Sequence, residues 1–213
     1  ALSMVLAACS TPEPAPTPTP GPFTLTVVYT NDGWGYTEPC ACDPPVGGFA
    51  RRAAYIDQVR EQADHVLVVD AGDSLLSLYH LRDLEQGRLL AKAFNQMGYD
   101  AVALGGMDFR MGIDVLREQI KVADYPVLSA NTLDPQTGKV FDEPYVIREI
   151  GQYRVALIGL TDAKTTLEVT EGAVQVMEPV DTLMRTVEQI GDQADVIIVL
   201  SHLGFMFDAN LSQ

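Results

Sequence analysis

Positive charge is what this sequence has least of. Fourteen Lys and Arg face 29 Asp and Glu, leaving a formal charge of -15 over 213 residues. So acidic a surface repels polyanions, which excludes nucleic acid as a general partner. A small anionic ligand would need a locally positive site, such as a bound cation. Histidine and cysteine are scarce, with three of each, and there is a single Trp. No Cys-x-x-Cys-His run occurs, so covalent haem attachment is excluded. No internal repeat is visible. Charged residues are only 20% of the chain and hydrophobic residues 47%, enough for one core and too apolar for a disordered chain.

What is present begins with a processing signal. Ala1 to Ala8 is apolar but too short to cross a bilayer, and it ends in Leu6-Ala7-Ala8-Cys9. That run resembles a lipobox, in which the Cys9 thiol is acylated. Residues 1–9 therefore read as the end of a signal peptide. The expectation is an exported lipoprotein, anchored by lipid at Cys9 to a membrane of the bacterial cell envelope. With no starting Met and no basic segment before the apolar run, the true beginning is expected to lie upstream. Residues 10–22 carry prolines at 12, 14, 16, 18, 20 and 22 and read as an extended polyproline spacer. The folded domain is expected over 23–213.

From Phe23 onward, short apolar runs alternate with helical patterns. The runs are Leu25–Tyr29, Val66–Val69, Ala101–Leu104, Val127–Ala130, Val155–Leu160 and Val196–Leu200. Several are apolar on both faces, as strands covered on both sides must be. Phe49, Ala53, Ile56, Val59 and Ala63 recur at helical spacing. So do Leu90, Ala93, Phe94 and Met97, with Gly98 as the closing residue, and Val180 through Ile190, opened by Pro179. Tyr145–Ile150 and Arg154–Leu160, joined by Gly151-Gln152, read as a hairpin. The class is α/β with a mixed, largely parallel sheet.

In such folds the site lies beyond the carboxyl ends of the strands. Those ends carry Asp32, then Asp70 and Asp73, then Asp108, Asn131, Asp162 and His202. One such Asp is ordinarily a turn or cap residue. Six strand ends in succession bearing carboxylate, amide or imidazole suggest a divalent metal instead.

The ordered set Thr26-Val-Val-Tyr-Thr-Asn-Asp32, Gly47-Gly-Phe-Ala-Arg51, Val68-Val-Asp-Ala-Gly-Asp73, Asn95-Gln-Met-Gly-Tyr-Asp-Ala-Val102, Ser129-Ala-Asn131 and Leu200-Ser-His-Leu-Gly204 resembles the N-terminal domain of the 5'-nucleotidase and calcineurin-like metallophosphatase family. The resemblance covers residues 23 to 204. It implies a layered α/β sandwich of the metallophosphatase type, continuing past Gln213. It also implies two metal ions bridged by one Asp, which activate water for attack on phosphorus. By position, Asp32 would hold one metal, Asp73 would bridge both, and His202 would hold the other. Asp108 is a further candidate ligand, and Arg51 and Asn131 are candidate substrate contacts.

The departures are specific. The family's Asp-x-His reads Asp32-Gly33-Trp34, and an indole has no lone pair for a metal. Its Gly-Asn-His-Asp reads Gly105-Gly106-Met107-Asp108. The Asn ligand is thus Gly106, and the catalytic His is Met107, a thioether that cannot donate a proton. The expectation is an altered site holding a single Zn, Mn or Fe ion. Cys40 and Cys42 admit three readings: a disulfide stiffening their loop, a reducible redox pair, or thiolate ligands joining Asp32, Asp73 and His202. The Gly47-Gly48 turn either cradles a phosphate at a helix start or merely allows the turn. Trp34, Tyr36 and Phe49 would stack on a base or pack in the core. His65 and His80 read as surface residues without a role, and Arg110 and Lys164 as weak anion contacts. The leading function is a phosphoric ester hydrolase of the cell envelope acting on a small phosphorylated molecule such as a nucleotide. The alternatives are a non-catalytic binding module and a Cys-x-Cys redox or single-metal lipoprotein.

Overall fold

A computed structural model describes residues 23–75 and 84–211. The expected lipobox with Cys9, the proline-rich stretch and His80 lie outside the described residues. The first sheet is parallel, in the order β1-β2-β3-β4: Thr26–Thr30, Val66–Asp70, Ala101–Ala103 and Val127–Leu128. The second holds β6 (Tyr145–Ile150), β7 (Tyr153–Thr161) and β9 (Val196–His202). β6 and β7 form the expected antiparallel hairpin, and β7 and β9 run parallel. A two-stranded pair, β5 (Thr132–Leu133) with β8 (Gln175–Val176), closes one edge. The layered sandwich of mixed, largely parallel strands is present, its strands divided between two facing sheets.

Strand alternation builds three buried layers. Leu67, Val69, Ala101 and Ala103 point from the first sheet toward Val155, Leu157 and Leu200 of the second. The intervening Val68 and Val102 turn the other way, onto helices α1 (Phe49–Gln62), α2 (Leu84–Met97) and α3 (Ile113–Val122), where Ile56, Phe94 and Leu116 are fully buried. Ala156, Ile158 and Leu160 cover the outer face of the second sheet against Ile190 of α5 (Pro179–Ile190). The period of two along each strand gives both faces apolar partners, so the runs read as continuously hydrophobic. Gly98 does end α2, at φ +66°.

The two sheets are joined directly along β4 and β7. Ala130 N–H donates to Gly159 O at 2.8 Å, and Thr161 Oγ1 to Leu104 O at 2.7 Å. A Cβ at Gly159 would stand 2.6 Å from the Leu128 carbonyl carbon, so only glycine permits that approach. On the opposite side, β1 and β9 stay apart, leaving an apolar groove of about 620 Å³ lined by Val27, Tyr29, Leu183, Ile198, Leu200 and Leu211.

Candidate metal centre

Parallel pairing sets the spacing of the site. Thr30 lies opposite Asp70 on β1 and β2, and Thr161 opposite His202 on β7 and β9, so all four strands end at one rim. The loops leaving that rim bring Asp32, Asp73 and His202 together, with one ligand atom from each lying within 4.8 Å of the others. Asp73 Oδ2 stands 3.3 Å from His202 Nε2. The other Asp73 oxygen accepts from Met107 N–H at 2.9 Å. His202 Nδ1 lies 2.9 Å from Ala71 O. A carbonyl can only accept, so Nδ1 carries a hydrogen and Nε2 is the atom that faces the two carboxylates, free to ligate a cation once its own proton is displaced. Three such donors with open space before the exposed Asp32 fit one divalent ion with free coordination positions.

The backbone holds this cluster under tension. Asp32, Trp34 and Asp73 all have positive φ, at 51°, 46° and 56°. Asp tolerates that region through its short polar side chain, whereas a bulky Trp there is an outlier of the kind that collects at functional sites. Cross-links fix the two loops. Asp32 N donates to Gly72 O and Trp34 N to Asp73 O, both at 2.9 Å, and Gly33 N donates to Ser74 Oγ at 3.1 Å. Asn31 Nδ2 donates to Asp32 Oδ2, and Trp34 Nε1 to Asp32 Oδ1 at 3.2 Å. The indole therefore contributes a hydrogen bond to a ligand and no ligand of its own.

Several expected contacts resolve differently. Asp108, only 1% exposed, is a scaffold residue. One of its oxygens accepts from Asp73 N and Gly105 N and the other from Leu75 N, at 2.8–2.9 Å, so neither faces the cluster. Asn131 is fully buried, and its amide spans the Thr161 backbone, donating to O at 2.7 Å and accepting from N at 2.9 Å. Asp162 caps α4 (Ala163–Val169) by accepting from Thr165 N at 2.7 Å. Arg51 donates to Pro45 O. Cys40 and Cys42 are joined as a disulfide, so neither sulfur is a thiolate available to the cluster.

A buried network beneath the cluster had a sequence signal only at Asp70, one of the strand-end carboxylates. Asp70 accepts from Thr30 Oγ1, Ser74 Oγ and Gly72 N. The Thr30 hydroxyl also meets Tyr99 Oη at 2.8 Å, to which Arg52 Nη1 donates at 3.4 Å while its guanidinium stacks on Phe49 and Phe94. Thr30 and Tyr99 are 69 residues apart, a separation that no local pattern registers.

Charge crowding shapes the protonation of the metal-free protein. Burial pushes Asp70 up to about 6, against the hydrogen bonds from Thr30, Gly72 and Ser74. Burial and the Asp73 charge likewise push Asp108 upward. Burial pulls His202 down, but the bond to Asp73 and the charges of Asp73, Asp108 and Asp32 outweigh it and raise the imidazole to about 9. A raised carboxyl costs stability once pH passes from about 4 to 6. A raised His contributes stability below about 6.5 and loses it as pH climbs through 9. Above pH 6 the loss comes chiefly from His202, so thermal melting of the metal-free protein is expected to fall by on the order of 5 °C between pH 6 and pH 9. A divalent cation should restore much of that loss. A flat melting profile over this range would show that the cluster is not electrostatically coupled.

A two-sheet sandwich flanked by helices, with a carboxylate–imidazole cluster at its strand ends, is the architecture of a metallophosphatase. The chain belongs to the 5'-nucleotidase and calcineurin-like metallophosphatase family. It is 31% identical to a 5'-nucleotidase of Vibrio cholerae over 219 residues, covering 96% of this chain and 38% of that one. It is also 31% identical to a Bos taurus 5'-nucleotidase, covering 89% of this chain and 35% of the relative. The structure of a 5'-nucleotidase precursor from Thermus thermophilus matches with a TM-score of 0.77 at 32% identity, over 89% of this chain and 39% of that one. The sulfate thiohydrolase SoxB shares the fold at a TM-score of 0.74 and 19% identity. No protein-family model matches. The chain spans less than two fifths of the length of the curated relatives named here.

Proposed function

We propose that this chain is the metal-binding part of a cell-envelope phosphoric ester hydrolase, with one divalent ion (Zn, Mn or Fe) held by Asp32, Asp73 and His202. Its substrate would be a small phosphorylated molecule such as a nucleotide, and Cys9 would carry the lipid anchor. The convergence of the three ligand atoms within 4.8 Å supports this reading most directly. The ion, when bound, supplies positive charge to polarise a phosphoryl oxygen on an otherwise acidic surface.

The chain's own groups do the positioning. Ala71 O orients the imidazole, Met107 N–H steadies Asp73, and Trp34 Nε1–H steadies Asp32. At position 107 the thioether has no proton to give a departing alkoxide. Turnover is therefore expected only for esters or anhydrides whose leaving group is already a weak base. Elemental analysis and titration calorimetry should find about one tightly bound ion per chain. p-Nitrophenyl phosphate and nucleotide anhydrides should be cleaved, and alkyl phosphates, nucleoside 5'-monophosphates among them, left intact. Two tightly bound ions would overturn the one-ion assignment.

One observation favours a second reading, a binding module that has shed its chemistry. A Cβ at Gly106 would stand 2.6 Å from both Asp162 Oδ2 and Thr165 Cβ, and 2.9 Å from Thr166 N. The start of α4 fills the room that an Asn ligand would need. Gly106→Asn is expected to cost about 1–3 kcal/mol through overpacking and to leave the metal count at one. A stable variant that binds a second ion would show that the space can reopen.

A further inference from the structure

We propose that Cys40 and Cys42 form a thiol–disulfide exchange site, which accepts electrons from a thiol donor at the exposed loop between β1 and α1. The inference stands apart from the metal reading. The pair is two residues apart and both sulfurs belong to exposed residues. A bond around one intervening residue, Ala41, removes little freedom from the unfolded chain, so it makes a poor structural staple. The loop is pinned without it. Cys40 N donates to Val46 O and Phe49 N to Thr37 O, each at 2.9 Å, and Arg51 holds Pro45 O. The cross-link therefore sits where stability needs it least and where a reagent reaches it most easily.

The two sulfurs are not equivalent. Val46 N–H points at Cys40 Sγ, at 3.3 Å. An amide aimed at sulfur favours a thiolate there, and the Arg51 guanidinium on the neighbouring carbonyl adds positive charge to the same loop. Cys42 is followed directly by Asp43, whose carboxylate opposes negative charge on its neighbour. The better leaving group is thus Cys40. An incoming thiolate attacks Cys42 Sγ, the S–S bond breaks, and its electron pair departs on Cys40 Sγ beside Val46 N–H. A second thiolate then attacks the outer sulfur of the mixed disulfide and releases Cys42. Two thiols become one disulfide, two electrons enter the protein pair, and the two protons end on Cys40 and Cys42.

Small thiols and protein dithiols share this chemistry, so the test carries both. The full chain is equilibrated with mixtures of reduced and oxidised glutathione or with a thioredoxin-type dithiol protein. It is then quenched with acid, alkylated and weighed intact. Opening of the pair is expected at millimolar glutathione, where structural disulfides stay closed, with the far-ultraviolet circular dichroism unchanged. Opening by the dithiol protein alone would mark a protein donor and also supports the site. A pair that stays closed in both arms, or whose reduction unfolds the chain, overturns it. In the reduced protein Cys40 should alkylate severalfold faster than Cys42 at neutral pH. Val46→Pro, which removes the amide hydrogen, should erase that difference. Equal rates in the parent protein would refute the assigned polarity and, with it, the argument for exchange.

Discussion

Asp73→Ala should abolish measurable divalent-cation binding. Losing an outer-shell partner of a metal ligand typically costs about 10–100-fold in affinity, and Asp73 is itself one of three donors, so the loss should exceed that range. The same change removes the acceptor for Met107 N–H and the closest anion to His202, at 3.3 Å. The imidazole should then titrate nearer to its ordinary range, which NMR of the His202 ring would report. Asp73→Asn keeps an oxygen for Met107 N–H and so separates lost charge from lost scaffold. Calorimetry with Zn²⁺, alongside circular dichroism to confirm the fold, makes the measurement. Undiminished affinity in Asp73→Ala would remove Asp73 from the site and the one-ion proposal with it.

Asp108→Ala should damage the fold more than any ligand change. It strands the N–H groups of Asp73, Leu75 and Gly105, none of which has water at hand in a position 1% exposed. Each buried unsatisfied donor costs about 1–3 kcal/mol, so the three together come to about 3–9 kcal/mol. That is a large share of the about 5–15 kcal/mol by which domains of this kind are stable. Asp108→Asn should cost less, because its one oxygen still serves Asp73 and Gly105 while Leu75 N–H loses its acceptor. Denaturant melts of the metal-free variants test this. A metal ligand would show the opposite pattern, with stability kept and affinity lost.

The contrast between Asp73 and Asp108 shows how far residue order carries. Both follow a strand of the same sheet and both are buried acids, so position alone ranks them equally. What separates them is where each oxygen points, and that depends on contacts spanning 34 and 35 residues. Most strands were legible as short apolar runs, and β1, β2, β3, β4, β7 and β9 fall where the runs are. The division into two facing sheets came from the family resemblance and not from the pattern, because a run buried between sheets reads like one buried under helices. The two-residue β5 and β8 are too short for any period to register. Asp32 and His202 were legible because carboxylates and imidazoles at strand ends are chemically conspicuous. Around Asp70, the partners Thr30, Tyr99 and Arg52 looked like ordinary residues of the fold until folding assembled the network.

Gly159 carries a mechanical consequence. The sheets pack face to face through Leu67, Val69, Val155, Leu157 and Leu200, and come closest where Gly159 lies against the Leu128 carbonyl. His202 ends a strand of one sheet and Asp73 follows a strand of the other, so the seating of the two sheets sets the span between these donors. A methyl group at position 159 would prise that seating apart and lengthen the reach an ion must bridge some distance away.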